Sequence, residues 1–206
     1  MKVFVVRHVK AGDRSGWDGP DHQRPISKAG TRQANALADR LAGERISQLM
    51  ASPSRRCIQS LEPLADRLGL RVQAEERLNE GSSIEHTLAV AGEVADGAVL
   101  CSHGDVIPDL IAALVRRGME LTTEPDWRKA TLWTLSGTLE ARQDSGGERL
   151  FTHAGVEAPP PSAPNVNGDG GTKTKTKTNN TAKTKTNNTA NTNAKTKTKT
   201  KTKTKT

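Results

Sequence analysis

Lys2-Val3-Phe4-Val5-Val6-Arg7-His8 is the stretch that decides the fold. A short apolar run, rich in β-branched residues and broken off by two basic side chains, reads as a strand buried on both faces that ends in a loop. Residues 9–25 supply the loop, punctuated by Gly12, Gly16, Gly19 and Pro20. Ser27 is placed to cap a helix running to about Ala42, with Ala34, Leu37, Ala38 and Leu41 as its apolar face.

The alternation continues outward. Residues 46–51 read as a second strand, and Ser52-Pro53 as the start of a helix carrying Arg56, Leu61, Leu64, Ala65 and Leu68, closed by Gly69. Residues 71–74 form a strand, 84–91 a helix, 98–101 a further buried strand and 106–117 a helix. Such a sequence implies an α/β fold, a three-layer αβα sandwich with a mostly parallel central sheet and ligands at the strands' carboxyl ends. Residues 131–135 and 138–142, separated by Ser136-Gly137, read as a hairpin completing the sheet.

Composition divides the chain. Residues 1–155 carry the folded pattern, residues 156–171 form a Pro/Gly-rich linker, and residues 172–206 contain only Thr, Lys, Asn and Ala and are expected to be a disordered tail. The formal charge of +8 belongs to that tail: its 11 lysines, taken from 31 Lys and Arg, leave 20 against 23 acidic residues, a body of −3. A basic nucleic-acid-binding fold is therefore not indicated for the body, and any contact with nucleic acid or another polyanion is assigned to the tail.

The opening apolar run is too short for a signal peptide or a membrane span, so a cytoplasmic, membrane-free protein is expected. Cys57 and Cys101 lack metal-ligand spacing and read as small buried thiols. The five histidines show no His-x-x-x-His spacing, which points to a metal-independent protein without a cofactor.

Three segments carry chemistry: Arg7-His8 after the first strand, Ser52-Pro53-Ser54-Arg55-Arg56-Cys57-Ile58-Gln59-Ser60, and Ser102-His103-Gly104-Asp105-Val106-Ile107. In that order and on those elements they resemble the histidine phosphatase superfamily, of phosphoglycerate mutase-like fold. Arg24-Pro25-Ile26-Ser27-x-x-Gly30 with Gln33-Ala34 is similar to its small phosphohistidine phosphatase-like branch. The resemblance covers about residues 1–145. It implies a phosphatase acting on a phosphomonoester or a protein phosphohistidine, with His8 as nucleophile, Arg7 and Arg56 as phosphate clamps and His103 as a second pocket histidine. The chemistry agrees. A neutral imidazole attacks phosphorus without first losing a proton, and guanidinium forks match phosphoryl oxygens.

For the proton donor the resemblance favours Glu80, in Arg77-Leu78-Asn79-Glu80-Gly81, with Asp105 and Asp21 as competitors. Arg14, Trp17 and Gly104 are expected to touch the substrate. Val9 departs from the family pattern, where a small residue follows the nucleophile, and is expected to narrow the pocket. Two other readings stand beside the phosphatase: a non-catalytic phospho-ligand-binding protein on the same scaffold, and a phosphomutase, for which the span between Arg56 and His103 is short. The identity of the phosphorylated partner, small molecule or protein, and the oligomeric state are left open by the sequence.

Overall fold

The computed structural model describes residues 1–140 and 148–160. Its strands are β1 (Lys2–Arg7), β2 (Gln48–Ala51), β3 (Val72–Ala74), β4 (Ala98–Ser102), β5 (Glu120–Leu121), β6 (Leu132–Glu140) and β7 (Glu148–Glu157). Its α-helices are α1 (Lys28–Leu41), α2 (Arg55–Leu68), α3 (Ile84–Glu93) and α4 (Val106–Arg116).

The strands form one sheet in the order β3-β2-β4-β1-β6-β7-β5. β1 lies in the middle, parallel to β4 through Val5 opposite Leu100, and antiparallel to β6 through Val5 opposite Trp133. Side chains alternate across a strand, so β1 feeds two cores. Val3 and Val5 join Ala98, Leu100 and residues of α3 and α4 on one face. Phe4 and Val6 join Val99, Cys101 and residues of α1 and α2 on the other. That is the three-layer α/β architecture of the phosphoglycerate mutase-like fold, with the parallel half of the sheet on the β3 side of β1.

The helix ends follow local chemistry. Ser27 accepts a hydrogen bond from the Gly30 amide at the head of α1, and Gly69 ends α2 at φ 65°, a conformation that costs glycine little.

The expected hairpin at 131–142 is wrong. Ser136-Gly137 lies inside β6, at a register shift against β7, and the Gly137 amide donates to the Met1 carbonyl. A glycine within a strand marks a bulge as readily as a turn, and the true partner, β7, comes later in the chain. β7 reaches Glu157. Residues 141–147, where the supposed second arm ended, lie outside the described residues, as do the rest of the linker from 161 and the tail at 172–206.

Candidate active site

Four segments meet at the carboxyl ends of the parallel strands. β1 delivers Arg7 and His8, β4 delivers His103, the first turn of α2 delivers Arg56, and the loop beyond β3 delivers Glu80. All five line one cavity of about 730 Å³. The His8 and His103 rings stand 5.4 Å apart, centre to centre, inclined at 64°.

His8 is buried, and its Nδ1 lies 2.8 Å from the Val9 carbonyl oxygen. A carbonyl accepts only, so Nδ1 carries the proton and Nε2 keeps its lone pair. Burial, opposed by that hydrogen bond and reinforced by the charges of His103, Arg56 and Lys129, pushes the His8 pKa down to about 3. The imidazole is neutral at physiological pH, as a nucleophile must be.

Arg56 is 2% exposed and bonded through both terminal nitrogens. Nη1 donates to the Asp21 carbonyl at 2.9 Å and to Asp21 Oδ2 at 3.0 Å, while Nη2 donates to Glu80 Oε2 at 2.7 Å and lies 3.3 Å from His103 Nδ1. An arginine N–H has no acceptor capacity, so His103 Nδ1 accepts and Nε2 bears the hydrogen. Nε2 then donates to Ser52 Oγ at 2.8 Å, and Ser52 Oγ donates to Asn79 Oδ1 at 3.1 Å. This chain of donors holds His103 in a single tautomer. Cys57 Sγ packs against the same nitrogen at 3.5 Å, as a buried thiol.

Arg7 donates through Nη1 to the Trp127 carbonyl. Its guanidinium lies flat on Gly104, where an added Cβ would stand 2.4 Å from Nη2. Gly104 therefore makes room for the clamp as well as lining the cavity. Burial lowers the Arg7 pKa, and the Asp105 charge partly restores it.

The three acid candidates separate clearly. Asp21 does not line the cavity; it is paired with Arg24, Arg14 and Arg56, each at 3.0 Å, and chiefly the Arg24 hydrogen bond pulls its pKa down to about 2. It serves as a brace for arginines and is a poor proton donor. Glu80 and Asp105 both line the cavity; Asp105 accepts from the Gly81 amide at 2.8 Å, which leaves Glu80 as the carboxylate on the clamp itself.

Val9 and Trp17 lie apart from the main cavity. Val9 does not narrow the pocket: it is fully buried in the core with α1 and α2, and its amide donates to Ser60 Oγ. The chain turns as it leaves β1, so the residue after the nucleophile faces inward, where a branched side chain packs well. Trp17 does not line the main cavity; its indole N–H donates to the Pro20 carbonyl at 3.0 Å, and it borders a neighbouring groove with Arg14 and Glu80. Arg14 borders both.

Sequence reasoning missed Ser52 and Asn79 as supports of His103, and Lys10 and Lys129 as cavity residues. Ser52 stood in a quoted motif; Lys129, between β5 and β6, carried no signal.

Residues 3–87 match the family model described as histidine phosphatase superfamily (branch 1). Over that stretch the chain is similar to the histidine phosphatase superfamily. Over 141 residues the chain is 36% identical to an 8-oxo-(d)GTP phosphatase of Mycolicibacterium smegmatis, a match that takes in 65% of this chain and 44% of that protein. The chain thus spans less than half the length of that relative. Among solved structures of the superfamily fold, it superposes on the protein histidine phosphatase SixA complexed with tungstate, at 23% identity and a TM-score of 0.56, covering 72% of this chain and 94% of the other. A mycobacterial glucosyl-3-phosphoglycerate phosphatase matches at 22% identity and a TM-score of 0.50, covering 66% and 91%. At these identities the structural likenesses establish the fold.

Proposed function

We propose that this domain is a phosphatase that hydrolyses phosphorylated substrates, phosphomonoesters or protein phosphohistidine, through a covalent phosphohistidine on His8. The observation that carries the reading is the convergence of His8, His103, Arg7 and Arg56 on one cavity, with His8 neutral and its Nε2 lone pair free.

In the first step Nε2 attacks phosphorus, the Nε2–P bond forms and the bond to the leaving oxygen or nitrogen breaks. Arg7 and Arg56 hold the equatorial oxygens, whose charge they offset in the transition state, and His103 keeps the Arg56 guanidinium in place. Glu80, protonated, gives its proton to the leaving group; as a carboxylate it then takes one from the water that cleaves the Nε2–P bond. The products are inorganic phosphate and the dephosphorylated substrate, and His8 is regenerated. The charge of the phosphoryl oxygens is met by guanidinium groups throughout, so the scheme calls for no metal ion. The 8-oxo-(d)GTP phosphatase likeness places nucleotides among the substrates to be tried.

The test is turnover of p-nitrophenyl phosphate in excess chelator, with a quench in alkali to trap phosphohistidine, which is acid-labile. Wild type should turn over and carry label on His8, and His8→Ala should lose activity by about 10³-fold or more. Equal turnover by His8→Ala would overturn the proposal.

A further inference from the structure

Two cations of the cavity have neither a task in that mechanism nor an acidic partner among the described residues. Six Lys and Arg side chains line the cavity. Arg14, Arg24 and Arg56 are paired with Asp21, and Arg7 rests on the Trp127 carbonyl near Asp105. Lys10 and Lys129 form no salt bridge among the described residues.

The backbones of both lysines are registered to the nucleophile. The Lys10 carbonyl accepts from the Ser27 amide at 2.9 Å and from Ser27 Oγ at 3.0 Å, and its amide donates to Gln33 Oε1 at 2.9 Å. Lys129 precedes Ala130, which holds φ 66°, a left-handed conformation rare for a residue with a Cβ. The Ala130 amide donates to the Arg7 carbonyl at 3.0 Å and reaches the His8 carbonyl at 3.4 Å, and the Arg7 amide donates to Thr131 at 3.2 Å. A strained turn is thus bonded directly to the segment bearing the nucleophile, and it presents Lys129 to the cavity.

Partial burial and the charges of Arg7, Arg24, Lys10 and Arg56 lower the Lys129 pKa. The ammonium is held among like charges, an arrangement that an anion relieves. The transferred phosphoryl group is met by Arg7 and Arg56, and a cavity of about 730 Å³ has the size of a whole ligand site.

We propose that Lys129, with Lys10, forms a second anion subsite beside the catalytic pocket, which selects substrates bearing a further phosphate or carboxylate near the phosphoryl group that His8 removes. The proposal rests on the phosphatase reading for its substrate, and on charge and backbone geometry for its site. Lysine suits the role, since a point charge on a flexible stem accepts either anion.

The experiment compares the full chain with its Lys129→Met and Lys129→Arg variants on p-nitrophenyl phosphate, ADP and 3-phosphoglycerate. Lys129→Met should lower kcat/KM for at least one polyanion about tenfold more than for p-nitrophenyl phosphate, through KM, and Lys129→Arg should restore most of the loss. Loss on ADP alone identifies a phosphate in the subsite, loss on 3-phosphoglycerate alone a carboxylate. If neither ratio moves by about threefold, the subsite is refuted. Should wild type turn over none of these, the phosphatase reading fails, and the subsite is judged by calorimetry on the His8→Ala chain. There methylenediphosphonate should bind about tenfold tighter than inorganic phosphate, with that margin lost in Lys129→Met; equal binding of the two anions overturns the proposal.

Discussion

Arg56 shows how a single buried cation is made usable. At 2% exposure a guanidinium needs compensation for its lost hydration, and Asp21 and Glu80 supply it with bonds of 2.7 to 3.0 Å. Asp21 is depressed to about 2 and stays charged, so it anchors the clamp, while Glu80 remains half exposed at the cavity mouth. That division motivates a leaving-group test of the proposed acid. Glu80→Gln should cut kcat about 10²-fold on an alkyl phosphate, whose alkoxide must be protonated, and much less on p-nitrophenyl phosphate, whose phenolate leaves unaided. Equal losses on both substrates, measured by steady-state kinetics, would assign Glu80 a purely structural part. Gly104 carries a constraint invisible in a chain of letters: the Arg7 guanidinium occupies the volume a Cβ would take.

At the scale of elements, α1 does more than cover the sheet. Gly30, in its first turn, lets the helix approach so closely that a Cβ would stand 2.1 Å from the Lys10 carbonyl oxygen. The same carbonyl accepts from Ser27, so the helix cap and the nucleophile loop are one structure. Gly30→Ala, which on an open helix would stabilise by the helix propensity of alanine, should here destabilise by about 2 kcal/mol and displace residues 9–12. Chemical denaturation measures the first and the KM for p-nitrophenyl phosphate the second; an unchanged or raised midpoint would show that the approach is not tight. The Arg24-Pro25-Ile26-Ser27-x-x-Gly30 segment, read in the sequence as a branch signature, thereby gains a physical role. β6 teaches the opposite lesson. Ser136-Gly137 had the composition of a turn, but a strand beside it in space, with a partner ten or more residues further along, made it a bulge.

For the whole molecule, one consequence of the site's burial is a pH dependence of stability. His8 titrates near pH 3 when folded, against an ordinary value of 6.5. The unfolded chain therefore binds a proton that the folded chain refuses, and stability falls as pH is lowered from 6.5 towards 3. The depressed Asp21 adds a loss only at lower pH, between its ordinary 3.8 and about 2. Thermal denaturation between pH 7 and 4 should thus show a smaller decline in His8→Asn than in wild type. An identical slope in the two proteins would mean that the His8 imidazole gains its proton as easily inside the fold as outside it.

The local sequence determined the alternation of strands and helices from β1 to α4, the apolar residues that α1 and α2 turn inward, and the order in which Arg7-His8, Arg56 and His103 arrive. These follow from periodicity, capping and motif spacing, which are properties of neighbours along the chain. Tertiary structure alone decided that Val9 points into the core, that Asp21 braces three arginines, that Ser52 and Asn79 hold a tautomer of His103, and that Lys129 returns to the cavity from beyond β5. Each of those depends on which residues approach through space across a parallel sheet, and that distance is set by packing and strand order, quantities that separation along the chain does not encode.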